Sequence, residues 1–382
     1  MVGSAWFWLA LGGLVAVGAL RPALRGPLTL AVSLALVASW DWRALAVLVP
    51  AWALLVAFGP RLAAGGPTGR RLTYAFVAAL VALLLGFKLT FEGSSVAAPL
   101  GLSYFVFKLL HYTIEVARGR FAPAPPAALA RWLCLFPVFV AGPIERWDSF
   151  RDGHTERLSR DDLEFGLTRI VHGLVSKFVV AEMVGTRLMA LVPFATLDAS
   201  LPAIPTWRLW AALFGVGVYV YFDFSGYSSM GLGAARLLGW RLAENFDRPW
   251  LSTNVGEWWR RWHISLSGWC RDYVYLPVLG LTRRPIVSGY ASMLIMASWH
   301  HLSVNWLLWG LYHGSCLGIF QLWQQLKRRK KWRRTPGLAE RIALRIVTAM
   351  VIVASYAFTT TNALGPVVGL EALCALVGLR FR

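Results

Sequence analysis

Charge is scarce in this sequence, and most of it has one sign. Of 382 residues only 15% are charged, with 38 Lys and Arg against 19 Asp and Glu, and 57% are hydrophobic. Soluble domains carry about 25% charged residues, so a soluble globular protein is excluded, and the mean hydropathy of +0.55 places the chain in a bilayer. There is no long hydrophilic domain, low-complexity tract or internal repeat, so a single integral domain over 1–382 is expected. The four cysteines, Cys134, Cys270, Cys316 and Cys374, show no CxxC spacing, which argues against a disulfide scaffold or a zinc site. No GxSxG is present, and no glycine pattern of the P-loop or dinucleotide type precedes a helix. A serine acyl-enzyme, ATP-driven transport and NAD chemistry are therefore not indicated. The first apolar run has no basic residues before it and is expected to be a retained helix rather than a cleaved signal.

What the sequence has instead is apolar runs. They recur at about 3–20, 27–40 with 43–59, 73–91, 99–116, 130–142, 166–191, 207–222, 286–300, 302–323 and 341–364. A spanning helix needs roughly 17 to 25 residues, so nine to eleven membrane-embedded segments are expected, some too short or too polar to cross alone. The formal charge of +19 would suggest nucleic acid in a soluble protein. Here Arg21 and Arg25 follow the first apolar run and Arg61, Arg70 and Arg71 the third, while residues 92–99 carry no Lys or Arg. The positive-inside rule then puts the N-terminus outside and the Arg-rich loops in the cytoplasm, with no nucleic-acid partner. The basic run 327–334 is expected to be cytoplasmic as well, against anionic lipid or an acidic partner.

The polarity is concentrated in the middle of the chain. Residues 151–170 and 241–267 are too polar to face lipid and imply an interface, a re-entrant segment or an internal cavity. Read as one helix at 100° per residue, 257–272 puts Trp258, Trp262, Ser265, Trp269 and Asp272 on one stripe and His263 on the next. Trp and Arg together suit an interfacial anchor, but an anchor does not need His263. The segment 297–314 holds His300, His301 and a third histidine, at 313, within 14 residues next to apolar runs. An ionisable group at membrane depth is a functional candidate. No acidic or Cys ligand lies at metal-binding spacing, and no metal is expected. An imidazole in a water-poor cavity suits general-base activation of a hydroxyl.

Residues 221–277, "YFDFSGYSSMGLGAARLLGWRLAENFDRPWLSTNVGEWWRRWHISLSGWCRDYVYLP", resemble the central signature of the membrane-bound O-acyltransferases. The likeness is to the bacterial branch that contains the alginate O-acetylation and teichoic-acid D-alanylation membrane subunits. The segments 101–119, 135–150 and 298–314 agree with it, so the resemblance covers most of 99–325. It implies an all-α integral membrane fold, a ring of helices around a central tunnel with a cytoplasmic opening for a thioester donor and an outer funnel for the acceptor.

Position by position, the resemblance makes His300 the catalytic base and His263 its polar partner in "RRWHISLS". The residue after His300 is His301 where the family has a small Gly, which leaves open which imidazole faces the tunnel. Asp223, Ser225, Tyr227, Asn245, Arg260, Arg261, Arg271 and Asp272 are expected to build the substrate-binding wall and the cytoplasmic mouth, with Trp299 and His301 beside the base. A hydrogen-bond or ion-pair brace is the competing reading for each of these. Gly142 and Pro143 are expected to break a helix, with Glu145 and Arg146 as an internal pair.

The implied function is O-acyl transfer, with no bound cofactor. A phosphopantetheine thioester, either acetyl-CoA or an acyl or aminoacyl carrier protein, is the donor at the cytoplasmic face. The acceptor is a hydroxyl of a cell-envelope or secreted polysaccharide, reached directly or through an extracytoplasmic hydrolase-like partner, and the expected location is the bacterial cytoplasmic membrane. D-alanyl transfer from a carrier protein is the alternative within the family. A polyprenyl-linked glycosyltransferase, for which Asp41 is the one early acidic candidate, and a transporter are the alternatives outside it.

Overall fold

The computed structural model describes residues 2–91, 99–331 and 335–380. Of the two topology signals, residues 92–98 of the loop without basic charge and residues 332–334 of the basic run lie outside the described residues. Helices account for nearly all the regular structure. Among the described residues the only β pairings are two isolated bridges, His154 with Trp240 and Phe246 with Trp262.

Two compact units divide the chain. The first comprises residues 1–174 and 226–244, the second residues 175–225 and 245–382. In the first unit the helices are Ala5–Leu20 (α1), Pro22–Ala63 (α2), Gly66–Phe91 (α3), Leu102–Ala117 (α4), Pro126–Cys134 (α5), Trp147–Asp152 (α6) and Arg160–Leu174 (α7). A π-helical stretch Val175–Gly185 opens the second unit, followed by Thr186–Met189 (α8) and Leu197–Ser200 (α9). Thr206–Leu237 (α10) has residues 206–225 in the second unit and 226–237 in the first. The remainder of the second unit is Val255–Arg261 (α11), Ile264–Cys270 (α12), Leu276–Thr282 (α13), Pro285–His300 (α14), Val304–Arg329 (α15), Leu338–Thr360 (α16) and Pro366–Ala375 (α17).

Among the described residues five helical segments are long and apolar enough to cross a membrane: Pro22–Ala63, Gly66–Phe91, Arg160–Ala203, Thr206–Leu237 and Leu338–Thr360. Shorter apolar helices stand at Ala5–Leu20, Pro126–Val138 and Pro366–Ala375. Of the 26 residues of α3 only Gly69 and Leu80 are buried, although residues 74–87 are apolar on every side. A helix of that kind is stable in lipid and not in water. The chain is a multi-pass, all-α membrane protein.

The gap between the apolar runs 27–40 and 43–59 has a structural cause. Asp41 leaves helical geometry (φ −161°, ψ 97°) inside α2. Its carboxylate accepts from the Arg43 backbone N–H at 3.1 Å, from Arg43 Nε at 2.8 Å and from the Leu100 N–H at 3.1 Å. Gly142 and Pro143, expected to break a helix, lie instead in a non-helical turn beyond one that has already ended. α5 ends at Cys134, and a 3-10 turn Phe136–Val138 leads through non-helical backbone to α6. A Cβ on Gly142 would stand 2.2 Å from that of Val138, so the turn closes only around glycine. Glu145 is buried there and accepts from the Ala243 N–H at 2.8 Å; Lys108, rather than Arg146, is the cation that acts on it.

The core of the second unit lies where the first half of α10 meets α16 and α17. Leu209, Ala212, Leu213 and Val216 pack there with Val353, Ala357, Val368 and Ala372. Trp210 Nε1 donates to the Leu376 carbonyl at 3.0 Å and so ties α10 to the end of α17.

Candidate active site

The segment 257–272, expected as one helix, is two. α11 stops at Arg261, and His263 takes a left-handed conformation (φ 43°, ψ 56°) before α12 begins. Such a conformation costs a non-glycine residue about 1–3 kcal/mol and persists only where its surroundings impose it. Asn245, fully buried, imposes it here. Its backbone carbonyl accepts from the Ile264 N–H at 2.9 Å, and its side-chain oxygen accepts from Ser265 Oγ at 2.6 Å and the Ser265 N–H at 3.4 Å. Asp247 N–H donates to the Arg261 carbonyl at 3.0 Å, and Phe246 bridges Trp262. Upstream, Asn254 caps α11 by accepting from the Glu257 N–H at 2.8 Å, while Glu257 accepts from the Thr253 N–H at 2.9 Å. These are the reciprocal bonds of a capping box, moved by one residue on the Glu257 side. Carrying 3.6-residue periodicity through the turn misplaces His263. Its ring is buried edge-on against Phe224, with centroids 4.7 Å apart.

His300 ends α14, and the next helix packs closely against it. Gly310, Gly314 and Gly318 form a small-residue stripe on α15. A Cβ on Gly310 would lie 2.9 Å from Ala297 Cβ and 3.0 Å from the Met293 carbonyl, and one on Gly314 2.5 Å from the Tyr290 ring. Glycine at four-residue spacing is what allows two membrane helices this approach. Ser303 caps α15, and buried Asn305 donates to the Phe358 carbonyl at 3.0 Å and Thr361 Oγ1 at 3.1 Å, pinning α15 to the end of α16. Trp306, Trp309 and His313 then share one face of α15 at i, i+3 and i+7.

These elements enclose a cavity of about 200 Å³ in the second unit. Trp258, Trp259 and Trp262 line it from α11 and its end, Trp306, Trp309 and His313 from α15, and Ile352, Ser355, Tyr356 and Thr359 from α16, with His300 and Val220 completing it. His300 is exposed and stacks on Trp306 with centroids 4.8 Å apart and planes 19° apart. The Trp299 indole touches both His300, at 4.6 Å, and His263, at 6.0 Å. His313 is 2% exposed. Its Nδ1 is sealed from solvent, and neither ring nitrogen has a hydrogen-bond partner among the described residues. Leaving a buried polar atom unpaired costs about 1–3 kcal/mol.

A second cavity of about 270 Å³ is lined by Trp259, Arg260, Ser267, Cys270, Arg271, Tyr275, Ser292 and Gln321 among others, and Trp259 belongs to both linings. Three polar atoms of its lining residues, Trp259 Nε1, Ser292 Oγ and Gln321 Oε1, are sealed from solvent and have no hydrogen-bond partner among the described residues. No group of three His, Cys, Asp or Glu among the described residues could hold a metal ion.

The residues singled out in the sequence fall into several groups. His263, Trp299 and His300 are joined by ring contacts. His301 is the extended residue that closes α14, and the aromatic cavity takes His300 rather than His301 into its lining. Arg260 and Arg271 are exposed and line the second cavity, with Arg271 Nε donating to Asp272 at 2.8 Å. Arg261 pairs with Glu257 at 2.9 Å and with Asp247 at 3.5 Å. Asn245 braces the His263 turn. Asp223 is paired with Lys177, Ser225 lies half-buried on α10 in the second unit, and Tyr227 belongs to the first unit, where it bonds to the Ala141 backbone. The sequence reading did not single out His313 as a site residue, nor the face of α16 with Ser355, Tyr356 and Thr359. Polar residues at i, i+1 and i+4 within the apolar run 341–364 were the available signal.

Similarity to known proteins points the same way. The chain is 35% identical to a probable alginate O-acetylase of Pseudomonas fluorescens over 59% of its own length and 45% of that protein's. It is 30% identical to a teichoic acid D-alanyltransferase of Streptococcus thermophilus over 69% of itself and 67% of the relative. A peptidoglycan O-acetyltransferase of Helicobacter pylori matches at 27% over 63% of this chain and 50% of its own. The chain spans a little under half the length of the alginate relatives it matches. Residues 70–359, which include every residue that lines the two cavities and the His263 turn, match the membrane-bound O-acyltransferase family model, and the chain belongs to that family.

Proposed function

We propose that the protein transfers an acyl group from a cytoplasmic thioester to a hydroxyl of an envelope or secreted polysaccharide outside the bacterial cytoplasmic membrane. One observation carries the reading: an exposed imidazole, His300, stands in an aromatic-walled cavity large enough for a small acyl group and its acceptor hydroxyl. The names of the relatives, which act on alginate, teichoic acid and peptidoglycan, support a polymer acceptor.

In this reading the donor is a phosphopantetheine thioester, on acetyl-CoA or on a carrier protein. Its arm occupies the second cavity, where the guanidiniums of Arg260 and Arg271 face its phosphate. His300 accepts the proton of the incoming hydroxyl as its oxygen bonds to the acyl carbon. The C–S bond then breaks, and the leaving thiolate takes that proton from His300. His263 helps to orient His300 through Trp299. A tunnel connects donor and acceptor sides, the N-terminus is outside, and an extracytoplasmic partner passes the group on where the polymer is not reached directly.

Aminoacyl transfer is the second reading, favoured by the fuller length match to the D-alanyltransferase. A glycosyltransferase is disfavoured because Asp41 is engaged in bracing the break in α2. The test supplies inverted membrane vesicles containing the protein with acetyl-CoA, or with acetyl- or D-alanyl-loaded carrier protein, labelled in the transferred group. Label in the polymer that is released by mild base identifies the donor. Vesicles that label no polymer with any of these thioesters contradict the proposal.

A further inference from the structure

His313 is the buried polar group of this cavity that the proposed chemistry does not yet use. The other polar side chains near the start of α15 are satisfied: Asn305 is bonded three times to α16 and the segment after it, and Tyr312 Oη donates to the Val351 carbonyl at 2.8 Å. His313 has no such partner, although it is as deeply buried. Its ring is packed by Trp309 at 4.5 Å and Trp259 at 5.2 Å, and Trp309 also touches His300 at 5.9 Å. Packing alone would be served as well by an apolar side chain, with no unpaired nitrogen. Nδ1 is sealed and His313 belongs to the cavity lining, which leaves Nε2 as the one ring nitrogen that can face the cavity. A proton on Nε2 points a donor into the hollow and leaves only a lone pair buried.

We infer that His313 donates a hydrogen bond from Nε2 to the carbonyl oxygen of the acyl group and stabilises the negative charge that forms there. The inference rests on the acyl-transfer reading. As the acceptor oxygen bonds to the acyl carbon, its proton passes to His300 and the carbonyl π electrons move onto oxygen. That oxyanion is held by the His313 N–H. Collapse restores the carbonyl and breaks the C–S bond, and the thiolate recovers the proton from His300. His313 itself neither gains nor loses a proton. Aimed donors act where charge develops, and in a water-poor aromatic cavity their effect is large.

The test compares His313→Leu, which fills the space without a donor, with His313→Gln, which keeps an N–H at similar reach. The full-length protein is assayed in vesicles with the donor that labels polymer. Removing one such donor costs roughly 100-fold or more in kcat. His313→Leu is expected to show that loss with little change in KM for the thioester, and His313→Gln to recover at least about tenfold of it. A second measurement does not depend on turnover. Wild-type protein should bind a ketone analogue of the thioester more tightly than the analogue with a methylene in place of the carbonyl, and His313→Leu should erase that preference. The inference is overturned if His313→Leu keeps kcat within about threefold of wild type, if Gln and Leu are equally impaired, or if the preference survives. His300→Ala is run alongside: its retention of transfer sinks the acyl-transfer reading, whereas loss of transfer in His300→Ala with normal His313→Leu sinks only the role of His313.

Discussion

Asn245 and Ser265 are joined side chain to side chain at 2.6 Å, and that bond fixes the left-handed turn on which His263 sits. Asn245 is fully buried, so Asn245→Ala loses this bond and leaves a small cavity where the amide stood. The expected cost is about 1–3 kcal/mol of stability, read as a lower unfolding midpoint in detergent, with at least a tenfold loss of transfer. Ser265→Ala should be milder. Equal activity of Asn245→Ala and wild type would show that the turn does not position the site.

His263 separates backbone from ring. At φ 43° glycine is relaxed and alanine is strained, by about 1–2 kcal/mol. His263→Gly should therefore unfold at a higher temperature than His263→Ala, while both lose transfer because the imidazole is gone. A His263→Gly protein with wild-type transfer would reduce His263 to a backbone role.

The helix pair that presents His300 depends on glycine. Gly310→Val puts methyl groups where Ala297 Cβ and the Met293 carbonyl already stand, and overpacking of this kind costs about 1–3 kcal/mol. It should lower both yield and transfer. Gly318→Ala is the control, because the nearest atom to its new Cβ, on Ile286, lies at an ordinary 3.4 Å. Equal behaviour of the two variants would contradict close packing of α14 on α15.

Arg260 and Arg271 rim the cavity assigned to the donor arm. Arg260→Glu combined with Arg271→Glu should raise KM for the thioester by about tenfold or more, the scale of two charge-assisted hydrogen bonds to a phosphate. The kcat at saturation should change little, and the KM should lose most of its dependence on salt. A fall in kcat at unchanged KM would place the donor elsewhere.

Much of this was legible in the sequence, for reasons that particular residues illustrate. The composition alone required a membrane protein, and the gap at 41–42 between two apolar runs marked the break that Asp41 caps. Gly142 and Pro143 announced a turn that a side chain would block. The helix drawn through 257–272 was wrong because periodicity reads only local sequence, whereas the turn at His263 is imposed by Asn245, eighteen positions upstream. His300 emerged from family resemblance; spacing showed only a cluster of three histidines. His313 and the polar face of α16 were passed over because hydropathy averages a helix over all its sides. Their relevance appears only when Ser355, Tyr356 and Thr359 are seen to share a cavity with Trp306 and Trp309.

The central claim is that the exposed imidazole of His300 is the base of an acyl transfer. Its most direct test is polymer esterification by vesicles containing wild-type protein or His300→Ala, matched for protein amount and for detergent-extracted size profile. The account predicts that His300→Ala lowers base-releasable label in the polymer by at least about 100-fold, the lower end of the range for a general base. Wild-type levels of label from His300→Ala would contradict it.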